Sequence, residues 1–117
     1  MRNTAAGLLI SLAITGCGQL KIPAVQPGDI VFQTSQSSQS MAIQLATRSP
    51  YSHMGLVLFR DGQHYVFEAS QTVRFTPLDE WVARGDGGKC VVKRLKNAQT
   101  LLTTEKLTAL EQAALKY

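Results

Sequence analysis

Two apolar segments on either side of Asp61-Gly62 constrain the fold of this chain most strongly. Residues 53–59 and residues 64–69 are both apolar and contain β-branched and aromatic side chains. Asp-Gly is a favoured pair for the two-residue turn of a β-hairpin, because both residues tolerate a positive φ. The sequence therefore predicts an antiparallel hairpin in which Phe59 pairs with His64.

This register brings together two side chains of the kind used in acid–base chemistry. Opposed residues share a face of the sheet, and side chains along one strand alternate between faces. His53 and Glu68 therefore project to the same side as diagonal neighbours, and Gly55 is expected to leave room for their contact. An ionised carboxylate in an apolar strand needs a partner, which the imidazole provides. The two residues are the base and orienting residue of a catalytic triad, a structural pair, or two unrelated exposed side chains.

The rest of the chain alternates short predicted strands and helices. Further strands are predicted at residues 30–32 and 90–95, and helices at residues 38–47, 77–85 and from Thr103 or Thr104 onward. This order is typical of an α+β domain in which an antiparallel sheet packs with helices. The buried face of the last helix is predicted to contain its regularly spaced apolar residues, Leu107, Leu110, Ala114 and Tyr117.

The charge and the ligand pattern exclude two classes of partner. The chain has 117 residues and a net charge of +4, but its Lys and Arg residues are scattered rather than gathered in a basic stripe, so we expect no nucleic-acid partner. A metal site would need a third ligand beside His53 and Glu68. His64 lies at the far end of the hairpin and Cys90 has no ligand-like spacing, so we expect neither a metal nor another cofactor.

Residues 1–16 have the composition of an export signal. Arg2 provides the positive charge, and the apolar stretch at residues 5–14 is too short to span a bilayer. The following Ile14-Thr15-Gly16-Cys17 resembles the bacterial lipobox, which implies that Cys17 is lipidated and begins the mature chain. The alternative is an ordinary signal peptide with an incidental cysteine.

The lipobox resemblance also implies a location. Residues 17–26 are predicted to be a lipidated tether, since Pro23 opposes helix formation. Gly18 follows the cysteine, where an aspartate would be the usual signal for retention in the inner membrane. The resemblance therefore implies a membrane-attached protein of the bacterial cell envelope, on the outer membrane and facing the periplasm.

Three further motifs occur in a fixed order along the chain. They are Pro27-Gly28-Asp29-Ile30-Val31-Phe32, Tyr51-Ser52-His53-Met54-Gly55-Leu56-Val57 and Val66-Phe67-Glu68-Ala69. Together they resemble the YiiX-like proteins, which are circularly permuted papain-fold members of the NlpC-type cysteine peptidase superfamily. The resemblance implies a partial permuted papain-like domain over residues 27–117, with His53 as general base and Glu68 as the orienting residue.

The same resemblance implies a nucleophile that this sequence does not match. In permuted members the nucleophilic cysteine follows the last motif, in a Tyr-Cys-Ser-Glu type sequence on a helix. Cys90 opens a predicted strand instead and is expected to be a core residue. We therefore expect that the C-terminal part of the domain is missing, that this chain alone is inactive, and that the sheet face bearing His53 and Val57 is uncovered.

Two functions follow from these expectations. The resemblance implies a lipid-anchored envelope cysteine hydrolase or acyltransferase, which acts on an amide or ester such as a peptidoglycan peptide or a lipid acyl group. The alternative is a non-catalytic envelope lipoprotein, or an inactive remnant, that binds a peptide or glycan through the same fold.

Overall fold

The computed structural model describes residues 19–117, so the predicted signal segment and Cys17 lie outside the described residues. The fold is α+β, as predicted. The strands are β1 (Ile30–Gln33), β2 (His53–Arg60), β3 (Gln63–Ala69), β4 (Val73–Pro77) and β5 (Val91–Lys93). The helices are α1 (Ser40–Thr47), α2 (Leu78–Arg84), α3 (Ala98–Leu101) and α4 (Thr104–Ala114), with a 3₁₀ turn at Asp86–Gly88.

The five strands form one antiparallel sheet in the order β4-β3-β2-β1-β5. Phe59 pairs with His64 as predicted, so the register of the central hairpin is confirmed. Asp61 and Gly62 have φ values of 50° and 76°, which are the two positive angles of a type I′ turn. The two-residue turn therefore sets the alignment of every side chain on β2 and β3.

Helix α2 packs across the face of the sheet that carries His53. Asp79 and Glu80 lie in its first turn and Arg84 in its last, where their charges complement the helix dipole. Its buried residues join three strand valines in the core, which consists of Val31, Val57, Val66, Leu78, Trp81 and Val82. The expectation that this face is uncovered is wrong, because α2 lies on it and leaves Val57 0% exposed.

The opposite face of the sheet is the one that stays partly open. Met54 and Val73 are 51% and 42% exposed there. Helix α4 covers one end, where Ala114 is buried and Arg60 Nε lies 2.9 Å from Glu111 Oε1. The prediction that Tyr117 belongs to the buried helix face is wrong. Helix α4 ends at Ala114, so Tyr117 no longer follows the helical spacing and is 85% exposed.

An ion pair joins the start of β1 to the segment after β5. The carboxylate of Asp29 is buried and accepts two hydrogen bonds from Arg94, at 2.7 and 2.8 Å, and one from the backbone N–H of Gln26. Burial raises the pKa of Asp29, but these hydrogen bonds outweigh burial and the net pKa is lowered. The ion pair therefore helps to hold the edge strand β5 against β1, although the two strands are far apart in the sequence.

Candidate active site

His53 and Glu68 are in direct contact. The imidazole Nε2 of His53 lies 2.6 Å from Oε2 of Glu68. His53 begins β2 and Glu68 stands near the end of β3, so the contact bridges the two strands of the hairpin where their regular pairing has ended. The side chain of Glu68 is fully buried, whereas that of His53 is 17% exposed. The carboxylate is therefore internal, and the imidazole connects it to solvent.

Four further side chains donate hydrogen bonds to the carboxylate of Glu68. Thr76 on β4 contacts Oε1 at 2.6 Å, and Trp81 on α2 contacts Oε2 at 3.1 Å. Arg74 and Arg84 add charged donors at 3.2 and 2.5 Å. With His53 these make five donors, so the lone pairs of the carboxylate are occupied from three neighbouring elements.

These contacts keep Glu68 ionised. Burial raises the pKa of Glu68, but hydrogen bonds from Arg84, Thr76 and His53 outweigh burial and lower the pKa to about 2. A carboxylate held anionic at neutral pH accepts a hydrogen bond from Nε2–H of His53, and the proton stays on the ring nitrogen. The arrangement therefore assigns the Nε2–H tautomer to a neutral His53, by inference from its partner.

The tautomer leaves the other ring nitrogen available for chemistry. Among residues 19–117, no side chain or backbone group forms a hydrogen bond with Nδ1 of His53. The indole of Trp81 lies beside the imidazole, with ring centroids 6.0 Å apart, and its N–H is fixed on Glu68. Trp81 thus packs against the imidazole of His53 and also donates a hydrogen bond to the carboxylate of Glu68. The Nδ1 lone pair of a ring held in this way can accept a proton from a neighbouring acidic group.

Gly55 is required at this site for a different reason from the predicted one. A Cβ at Gly55 would lie 2.1 Å from Cγ1 of Val66 but 3.7 Å from Cβ of Glu68. The missing side chain therefore leaves space for a core valine on the neighbouring strand. The prediction that Gly55 makes room for the contact between His53 and Glu68 is wrong. A side chain at position 55 would overlap Val66, whereas it would meet Cβ of Glu68 only at an ordinary contact distance.

Cys90 belongs to the core rather than to this site. It packs against the buried cluster beneath α2, beside Val92. Burial raises the pKa of its thiol, which disfavours the thiolate that nucleophilic attack requires. Both observations agree with the expected core role.

Two cavities meet at His53. One is an apolar groove of ≈ 700 Å³ on the open face of the sheet, lined among others by Phe32, Met54, Leu56 and Phe67. The other is a polar pocket of ≈ 710 Å³ that includes the serine-rich segment at residues 35–39. Ser52 and His53 line both, so the two cavities adjoin at the start of β2, although the imidazole projects to the face of the sheet opposite the groove.

Gln33 is a buried polar residue next to His53. It is 1% exposed, and its Cα pairs with that of His53 across β1 and β2. Among the described residues, its Oε1 has no hydrogen-bond partner. Leaving a buried acceptor unpaired costs about 1–3 kcal/mol. This residue lines the polar pocket beside His53.

Sequence reasoning found two members of the site and missed the rest. It placed His53 and Glu68 together because they lie on one local hairpin. It did not identify the residues that arrive from β1, β4 and α2, which are Gln33, Arg74, Thr76, Trp81 and Arg84. For Arg74 and Thr76 the sequence did contain a signal, because two polar residues two positions apart on a short strand project to the same face.

Comparison with known proteins identifies the family of this chain. The model of one family matches residues 24–117, and that family is described as permuted papain-like amidase enzymes of the YaeF/YiiX type, the C92 family. The chain belongs to this family. The predicted resemblance and the permuted papain-like fold are therefore confirmed.

Two Escherichia coli proteins show how much of the family fold this chain spans. YiiX of strain K12 is 49% identical over 92 residues, which are 79% of this chain and 44% of YiiX. A crystal structure described as metalloprotein YiiX from strain O157:H7 is 50% identical and superposes with a TM-score of 0.73. That match covers 79% of this chain and 49% of the solved chain. The chain thus spans about half the length of these relatives.

Proposed function

We propose that this chain supplies the base and the orienting carboxylate of a cysteine amidase or peptidase-like hydrolase, His53 and Glu68. The observation that carries the proposal is the 2.6 Å contact between Nε2 of His53 and a fully buried, anionic Glu68. A structural ion pair does not need an imidazole that is partly open to solvent beside a polar pocket. A general base needs an accessible ring nitrogen and a space beside it for the substrate.

The proposed reaction proceeds by acyl transfer through a thiol. Nδ1 of His53 takes the thiol proton, and the thiolate attacks the carbonyl carbon of an amide or ester. The C–N or C–O bond breaks, the leaving group takes the proton from His53, and an acyl-thioester remains. Water, deprotonated by His53, then releases the acid and restores the thiol. Cys90 packs against the core and does not match the place of the family's nucleophile, so the proposal assigns the thiol to none of the described residues.

The lining of the groove favours one of the two expected substrate classes. The groove at His53 is mostly apolar and carries Phe32, Met54 and Phe67. A lipid acyl group fits such walls better than a charged peptidoglycan peptide, because burying an unpaired charge is costly. We propose an aliphatic acyl amide or ester as the substrate, with its carbonyl at His53.

The described residues do not support a metal-dependent mechanism. Among residues 19–117, no three His, Cys, Asp or Glu side chains are grouped to hold a metal ion. The oxygens of Glu68 are already occupied by five donors. The word metalloprotein belongs to the Escherichia coli neighbour, and we propose no step through a metal here.

We also propose that Cys17 is lipidated and anchors the protein in the bacterial envelope. The support is the lipobox-like Ile14-Thr15-Gly16-Cys17 after an export-like segment. Within residues 19–117, no helix is long and apolar enough to cross a bilayer. Labelling of cells with an alkyne fatty acid tests the anchor. The wild-type protein should carry the label and Cys17→Ser should not, and an unlabelled wild type would overturn the proposal.

The hydrolase proposal is tested with a thiol-reactive probe. The reading frame would be sequenced past the Tyr117 codon and its full product expressed and purified. The purified protein would then be treated with a fluorescent iodoacetamide. We expect one cysteine other than Cys90 to be labelled rapidly near neutral pH, and His53→Ala to slow that labelling at least about tenfold. His64→Ala is the matched control and should leave the rate unchanged. Equal rates in wild type and His53→Ala would favour the non-catalytic binding protein.

A further inference from the structure

A hydrogen-bond acceptor without a donor lies behind the wall of the polar pocket beside His53. Gln33 is the last residue of β1, and its Cα pairs with that of His53, so both side chains project to the same face of the sheet. Its Oε1 is buried and has no partner among residues 19–117. Polar atoms buried in this way are rare in folded proteins, and each one needs an explanation.

The surroundings of Gln33 place its amide at the wall of the pocket. A Cβ at Gly85 would lie 2.2 Å from Oε1, so the amide stands against the backbone that follows α2. Arg84, one residue earlier, lines the same pocket but is engaged by Glu68. The terminal torsion of a glutamine is broad, so the amide can turn toward the pocket without leaving its rotamer well. An apolar side chain of the same size would fill this place without an unpaired atom.

We infer that Gln33 is a substrate-binding residue whose Oε1 accepts a hydrogen bond from the N–H of the substrate amide. The inference rests on the proposed function, because it places the reacting carbonyl at His53. An amide carries a donor at the atom next to that carbonyl, whereas an ester carries only acceptors. A buried acceptor selects the ligand that satisfies it, since the other ligand leaves it unpaired. Gln33 thus makes the site selective for amides over esters.

The test compares two ligands that differ in one N–H group. N-methyloctanamide and methyl octanoate would be titrated into the 117-residue chain, and binding followed by the NMR signals of the His53 ring. We expect the amide to bind about threefold to tenfold more tightly than the ester. In Gln33→Leu the two ligands should bind equally. The melting temperature of that variant should rise by a few degrees, because the unpaired acceptor is gone.

Gln71→Leu is the matched control, because Gln71 lines the same pocket but is exposed. It should keep the preference for the amide and the melting temperature of the wild type. If Gln33→Leu does not fold, Gln33→Met keeps the unbranched shape and gives the same comparison.

An unchanged preference for the amide in the Gln33 variants would overturn the inference, as would a wild type that binds both ligands equally or binds neither. A lower melting temperature with the preference retained would assign Gln33 a purely structural role. This equilibrium measurement needs no nucleophile. Its failure is therefore distinct from failure of the hydrolase proposal, which the thiol-labelling rate decides.

Discussion

At the scale of single residues, the site depends on the number of donors around one carboxylate. A buried Glu68 paired only with a neutral imidazole would be driven toward protonation. Two arginines, a threonine and an indole reverse that tendency, so Glu68 stays anionic and His53 keeps a defined tautomer. The charge state of Glu68 and the tautomer of His53 therefore depend mostly on residues outside the His53–Glu68 pair.

The tautomer of His53 can be observed directly. Because Nε2–H points at an anionic carboxylate 2.6 Å away, its proton should resonate far downfield and exchange slowly with water. Two-bond ¹H–¹⁵N spectra of the neutral ring should show the proton on Nε2 and none on Nδ1. His64 forms no hydrogen bond of this kind within the described chain and serves as the internal control. A downfield proton on Nδ1 would contradict the assignment.

At the scale of elements, β2 and β3 are locked to each other by the close approach at Gly55. The absent side chain admits Val66, which is 0% exposed in the core beneath α2. The same hairpin carries His53 and Glu68 at its open end. A shift between the strands would therefore disturb the core and the site together.

Gly55→Ala tests this close approach. The added methyl would overlap Cγ1 of Val66 and press on the carbonyl of Phe67, so we expect a loss of about 1–3 kcal/mol in the free energy of unfolding. Gly62→Ala is a useful comparison, because nothing lies within 4 Å of its Cβ and only its φ of +76° opposes the change. Urea titrations measure both.

A double variant separates the overlap from other effects of Gly55→Ala. In Gly55→Ala with Val66→Ala, the two losses should sum to less than additive, since the smaller side chain at position 66 removes the overlap. Strictly additive losses would show that the methyl at position 55 does not meet Val66.

At the scale of the whole molecule, the two buried carboxylates couple stability to pH in the same direction. Glu68 connects β3, β4 and α2, and Asp29 connects β1 to the segment after β5. Both pKa values are lowered in the folded state, so the folded protein binds fewer protons than the unfolded chain in acid. Their contributions are therefore present near neutral pH and are lost as the pH falls.

The free energy of unfolding should therefore fall in acid, and Glu68 should account for most of the loss. The pKa of Glu68 is about 2 against an ordinary value of 4.5, so its contribution of about 3 kcal/mol should be lost as the pH falls from about 5 to 2. Urea unfolding across this range measures the loss. Glu68→Gln should reduce the pH dependence, and Glu80→Gln, which removes an exposed carboxylate, should not.

A direct titration guards this prediction against a variant that fails to fold. The side-chain carboxyl ¹³C signal of Glu68 in the wild-type protein should titrate near pH 2. A midpoint near the ordinary value of 4.5 would refute the coupling between Glu68 and acid stability.

The local part of the fold was predictable because its rules act over short distances along the chain. Asp61-Gly62 determines a two-residue turn, and period-two alternation then assigns every side chain of β2 and β3 to a face. The same kind of local rule predicted that the last helix begins at Thr103 or Thr104, and the structure has Thr103 as the N-cap, whose hydroxyl accepts a hydrogen bond from the backbone N–H of Lys106. The short helix α3 carried no such signal and was not predicted.

The sequence by itself determined that an imidazole and a carboxylate meet on one hairpin, because a tight turn transmits register without help from the rest of the molecule. Only the tertiary structure decided how that carboxylate is held. Trp81 and Arg84 reach Glu68 from α2, and Thr76 reaches it from β4. It also decided which face of the sheet α2 covers and that Gln33 lies beside His53, because packing between elements leaves no short-range periodicity in the sequence.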